Sequence, residues 1–312
     1  MSRRRTKAKN KLRRTSEGYV LDQFSQANLQ QWNKFSKSLD EYHIRLFYHL
    51  EGLRESHNDS LIAALRNSGP LSKFEGSWCR LVSFRYSDDF LSPRGSLISG
   101  GRFNIGEDLD PRKFPGFPAL YLAEDQKTAY AEFFGAPETI AQGQIAGHEF
   151  ALQSDTSFSF VRLSFVLENV FDLTRTKNLN AFSKLISKFN MTPELKDLGL
   201  TIGVPPSSML IRDSALLKKD LTSSGWRDYP VQYEIPANSQ VFGRLLRDAG
   251  FEAVIYPSSK GSGKCMAIFA ENLEGSDSFV KLVDDAPATA KHVRLDSNNW
   301  KELSYVRLPV QK

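Results

Sequence analysis

Arg102 lies in the heptapeptide GGRFNIG, residues 100 to 106, with three glycines around it. Glycine at such density marks positive φ or a close approach of backbone to a neighbouring group. A fixed guanidinium fork offers planar recognition of phosphate or carboxylate, so the segment reads as an anion site, although a plain surface turn has the same composition. Three further pieces carry polar groups that packing alone explains poorly. Arg80 stands in an extended-looking run, SWCRLVSFRY, where a half-buried cation needs a partner, and Arg85 competes with it five residues on. Tyr121 and Glu132 are eleven residues apart, on an apolar segment and the helical segment after it, and a strand-to-helix turn folds both toward one cleft. The fourth piece is YPSSKGSGK, residues 256 to 264, between two apolar runs. It lacks the GxxxxGK[ST] spacing and no helix follows it, which argues against a nucleoside triphosphatase. No G-x-S-x-G elbow occurs, and no histidine stands in relation to Ser258 or Ser259, which argues against a serine hydrolase. Singly, each residue also has a structural explanation: Glu132 as a solvated helix carboxylate, Tyr121 as a core ring with its hydroxyl at the edge.

The elements that must position these groups follow from periodicity. Residues 19 to about 67 carry Leu21, Phe24, Trp32, Phe35, Leu39, Tyr42, Leu46 and Leu50 near helical spacing, and a second short helix ends at Gly69-Pro70. From residue 76 extended patterns dominate. FPALYLAED reads as a strand, Gln126 to Phe134 as a helix closed by Gly135, and FSFVRLSFVLENVFDLT as one or two strands. Residues 178–190 and 239–249 read as helices, and 251–273 as strand, loop, strand. The Pro-, Ser- and Gly-rich stretch 192–237 reads as irregular, with one helix near 213–220. Strands outnumber helices in the middle of the chain without a regular βαβ alternation, which predicts an α+β fold.

Composition narrows the class. The 312 residues are 40% hydrophobic and 25% charged, a globular balance, with no apolar run near the roughly 18 residues of a membrane span. Cys79 and Cys265 are too few for a disulfide framework or a cysteine metal site, and the five histidines show no ligand spacing. A cytoplasmic protein without a metal is the expectation. The net charge of +5 is concentrated: residues 1–14 hold eight Lys or Arg and no acid, leaving the remainder mildly acidic. Such a tail is expected to be disordered and to touch polyanions weakly, or to serve only as a solubilising extension.

Taken together and in order, the arginine strand, GGRFNIG, ALYLAEDQKTAYAEFF and GFEAVIYPSSKGSGKCMAIF resemble the RES domain family over about residues 76 to 273. Phe103 stands where that family usually has tryptophan, and EDLDPRKFPGFP lengthens the path to Tyr121. The resemblance implies an ADP-ribosyltransferase-like mixed β core with flanking helices, acting on NAD as substrate without a metal. It divides the chain into a basic tail (1–18), a helical lead-in (19–75), a catalytic domain (76–280) and a C-terminal extension (281–312). It assigns catalysis to Arg80, Glu132 and Ser258, and NAD binding to Arg102, Tyr121, Asn104 and Gly101. Its members include toxins that degrade NAD and are blocked by a helix-turn-helix antitoxin; related domains pass ADP-ribose to a protein. Arginine-modifying transferases of this broad fold carry a Glu-x-Glu pair, and here Tyr130 precedes Glu132 by two, which favours water or inorganic phosphate as acceptor. A non-enzymatic module that docks its basic tail on nucleic acid is the reading from a different class.

Overall fold

The computed structural model describes residues 26–135, 157–228, 230–286 and 288–305, so the basic tail lies outside the described residues. Two helices come first, α1 (Gln26–Ser56) and α2 (Asn58–Arg66). Strand β1 (Phe74–Ser83) leads through a 3-10 turn and the short α3 (Gly95–Ser99) to β2 (Leu120–Ala123) and α4 (Gln126–Phe134). Then come β3 (Phe158–Leu167), β4 (Val170–Asp172), and helices α5 (Asn180–Ile186), α6 (Pro193–Thr201), α7 (Ser214–Leu221) and α8 (Asn238–Asp248). Strands β5 (Ala253–Pro257), β6 (Lys264–Ile268), β7 (Phe279–Leu282) and β8 (Arg294–Asp296) and helix α9 (Trp300–Tyr305) close the chain.

The eight strands form one sheet in the order β4-β5-β6-β2-β1-β3-β7-β8. Among the described residues only β4 and β5 pair in parallel; the other pairings are antiparallel. This is an α+β architecture, as the strand-rich middle of the sequence predicts.

Period-two alternation sorts every strand onto two faces. Trp78, Val82, Leu120, Leu122, Phe165 and Met266 point to one face, where Phe90, Leu91 and, from α9, Trp300 and Leu303 cover them. Cys79, Ala123, Val254, Tyr256, Cys265 and Ala267 point to the other, beneath α2 and α8. The lead-in belongs to this second core, because Phe47 of α1 and Leu61, Ile62 and Leu65 of α2 are buried in it. Further along α1, Tyr42 seals a smaller cluster with Met191, Leu195, Ile202 and Met209.

The stretch expected to be irregular contains a helix the sequence reading missed. Thr192 caps α6 by accepting from the Leu195 amide at 3.3 Å, and Pro193 fits its first position because no intrahelical donor is needed there. The C-terminal segment is likewise structured, with β7 and β8 extending the sheet. Among the described residues no helix is long and apolar enough to cross a membrane.

Candidate active site

A cavity of about 350 Å³ opens on the second face, at the junction of β1, β2, β5, β6 and α4. Its most constrained wall is the glycine turn. Gly101 and Asn104 pair as an isolated bridge, with Gly101 N donating to Asn104 O at 3.1 Å, so Arg102 and Phe103 occupy the corner of a two-residue hairpin. Gly100 enters this hairpin at φ +65, in the region that favours glycine. A Cβ on Gly101 would lie 2.4 Å from the Tyr121 hydroxyl, so the absence of a side chain lets β2 come this close.

Tyr121 locks the turn. Its hydroxyl accepts from Phe103 N at 3.0 Å and donates to Asn104 Oδ1 at 2.9 Å. Burial pushes its pKa up, which keeps it a neutral donor. Asn104 is fully buried and its amide donates to the carbonyls of Ser96 and Phe117, each at 2.9 Å. It therefore shapes the turn from behind, and the cavity wall does not include it. Gln240, from the first turn of α8, donates to the carbonyls of Gly101 (3.2 Å) and Asn104 (3.0 Å) and clamps the hairpin from the helical side.

So held, Arg102 is buried and aimed across the cavity. Its Nη1 donates to Ser223 O at 2.6 Å and more weakly to Leu221 O at 3.4 Å, and its Nη2 donates to Ser259 Oγ at 2.7 Å. The rings of Trp226 and Tyr256 flank it at 5.6 and 6.0 Å. Its hydrogen-bond partners among the described residues are all neutral.

Glu132 faces it from α4. Asp125 caps this helix by accepting from Thr128 N at 2.7 Å, and Gly135 ends it at φ +92. Glu132 Oε1 accepts from Ser258 Oγ at 2.5 Å and Ser259 N at 3.2 Å, while Lys260 Nζ reaches the Glu132 carbonyl at 3.0 Å. Ser258 Oγ also accepts from the amides of Gly261 (2.8 Å) and Lys260 (3.2 Å), so this hydroxyl orients the carboxylate from within its own loop. Ser259 joins the two charged groups, giving its amide to Glu132 and taking a guanidinium hydrogen from Arg102. On the floor, burial and the nearby Glu132 charge push the Cys265 thiol up, so it stands as an inert neutral group.

Of the residues expected from sequence, the fold thus gathers Gly101, Arg102, Tyr121 and Glu132 around one space, with Ser258 and Asn104 as supports. Arg80 differs from these in what its side chain touches. It is among the residues at the cavity wall, while alternation along β1 sets its side chain on the face of Trp78 and Val82, and its Nη2 donates to Ser92 O at 3.0 Å. Burial brings its pKa down to about 10 against the opposing charge of Asp89, and its Nη1 is buried without a partner among the described residues.

Trp226, Tyr256, Ser259 and Lys260 also line the cavity. Tyr256, Ser259 and Lys260 sit within the YPSSKGSGK segment, where alternation with Val254 marks the face of Tyr256. Trp226 arrives from the connection after α7 and carries no local signal. Among the described residues no group of three or more His, Cys, Asp or Glu is placed to hold a metal ion.

A family model described as the RES domain matches residues 77–291. Among solved structures, a chain of the M. tuberculosis MbcT-MbcA toxin-antitoxin complex is similar at 15% identity, covering 78% of this chain and 96% of that one, with a TM-score of 0.37. No curated protein matches.

Proposed function

This chain belongs to the RES domain family, and from that membership we propose that it consumes NAD, breaking the nicotinamide–ribose bond and passing ADP-ribose to water or inorganic phosphate. The observation that carries the reading is the pairing of one carboxylate and one buried guanidinium, linked through Ser259, on the wall of a single aromatic-lined cavity.

In this reaction the C–N bond electrons leave with nicotinamide, and positive charge develops on the ribose. Glu132, whose carboxylate Ser258 and Ser259 hold through Oε1, faces that charge or a ribose hydroxyl, the electrostatic logic of glycoside cleavage. Arg102 and the exposed Lys260 are placed for the pyrophosphate. Tyr121, Tyr256 and Trp226 offer ring faces for nicotinamide or ribose. An oxygen of water or phosphate then bonds to the ribose carbon and its proton passes to solvent. A toxin-type role, held in check by an inhibitory partner protein over the cleft, belongs to the same reading.

The test is mass spectrometry of NAD incubated with the purified protein, with and without phosphate, beside Glu132→Gln. Nicotinamide with ADP-ribose is the expected product in water, and a phosphorylated ADP-ribose appearing only with phosphate identifies phosphorolysis. Glu132→Gln should lose about 10²–10³-fold in rate with the melting temperature within about 2 °C of wild type. If NAD is cleaved only when cell extract is present, and label becomes acid-precipitable, the acceptor is a protein instead. NAD left intact in every tube, extract included, removes the reading.

A further inference from the structure

A second and larger cavity, about 520 Å³, lies between α1 and the helices α5, α7 and α8. Most of its wall is apolar, including Phe47, Leu50, Phe182, Leu217, Phe242 and Leu245. Volume and lining are those of a small-molecule site, mainly hydrophobic with few polar groups.

Its charged groups are few and unevenly matched. Arg54 of α1 lines the cavity and donates from Nε to Glu51 at 3.0 Å. Glu51 is also engaged by Arg244 of α8, so two guanidinium groups share one carboxylate in a largely buried triad. Burial and the neighbouring Arg244 lower the Arg54 pKa to about 10 even though Glu51 opposes them. Asp220, the one acid on this wall among the described residues, is occupied elsewhere, accepting from Asn238 at 3.0 Å.

Two guanidinium groups against one carboxylate leave an excess buried cation, which is costly, and a carboxylate is the group that neutralises it while meeting a guanidinium edge. We propose that this cavity binds an apolar monocarboxylate, its body among the hydrophobic walls and its head against Arg54. One wall of the site, α1, lies outside the family-matched residues 77–291. It also adjoins the first cavity. Leu221 and Ser223 line the second cavity while their carbonyls accept from Arg102, and Trp226 lines both. An occupant would brace the segment on which Arg102 rests.

The probe is 4-phenylbutyrate, titrated calorimetrically into the full chain in the absence of NAD, beside 4-phenylbutyramide. The expected result is saturable one-site binding of the acid and at least tenfold weaker binding of the amide. Arg54→Met should abolish the difference between acid and amide while keeping a cooperative melt. Leu217→Trp fills the cavity from α7, which carries none of the triad, and it should abolish binding of both compounds, which keeps the proposal testable should Arg54→Met not fold. Equal affinity for acid and amide, no binding of either to the wild type, or wild-type affinity in Leu217→Trp overturns it. Because NAD is absent, failure here leaves the reading of the first cavity untouched.

Discussion

Two arginines of this protein are deeply buried near the sheet, and their partners separate their roles. Arg102 is held by carbonyls and one hydroxyl, all neutral, and keeps its charge for the cavity it faces. Arg80 stands on the other face among apolar side chains, with Asp89 as its nearest opposing charge. Removing a buried cation leaves its counter-charge exposed to a low dielectric, a loss of about 3 kcal/mol. Arg80→Met should therefore lower the unfolding free energy by about that amount in urea, while the folded fraction keeps kcat/KM for NAD within about twofold. A stable Arg80→Met protein with a large loss of turnover would return Arg80 to the chemistry. Alternation along SWCRLVSFRY is enough to put Arg80 on one face with Trp78 and Val82. Which face carries the cavity depends on what α4, α8 and the glycine turn cover, and no period within β1 encodes that.

At the scale of elements, the legible parts are those whose ends carry their own chemistry. Helix α4 runs from Gln126 to Phe134, as read from the sequence, because Asp125 and Gly135 specify its start and stop. Asp125→Ala should cost about 1 kcal/mol of stability, measured by denaturant unfolding, through loss of the bond to Thr128 N. Helix α6 went unread inside a stretch rich in Pro, Ser and Gly, although Thr192-Pro193 is a sound start signal, because its burial depends on Tyr42 from a distant helix. Helix α7 supplies a pH-dependent term. Burial raises the Asp220 pKa above its unfolded value, with the bond from Asn238 opposing. Stabilisation from that proton is complete below the unfolded pKa and is lost as pH rises through the folded one. Asp220→Asn, which stays neutral, should thus gain stability relative to wild type more at about pH 7 than at about pH 4, read from paired denaturation curves. A gain that does not change with pH would remove this account.

For the whole molecule, the lead-in is part of the load that the core carries. Phe47 of α1 packs edge-on to Phe114 at 5.6 Å, and α2 places Leu61 and Leu65 wholly inside. Deleting residues 1–56 would open the second face to water and should abolish the cooperative thermal transition, whereas a detachable lead-in would leave it unchanged. At the other end, α9 seals the first face with Trp300 and Leu303, and Ser92 donates to Leu303 O at 2.7 Å beside the Arg80 contact. Both segments lie beyond the 77–291 boundary of the shared family region. The two covers thus stand outside the region that the family model matches, while much of what they cover stands inside it. A chimera that exchanged only residues 77–291 with a relative would bring in two hydrophobic faces not fitted to these covers, and is expected to melt at a lower temperature than this chain.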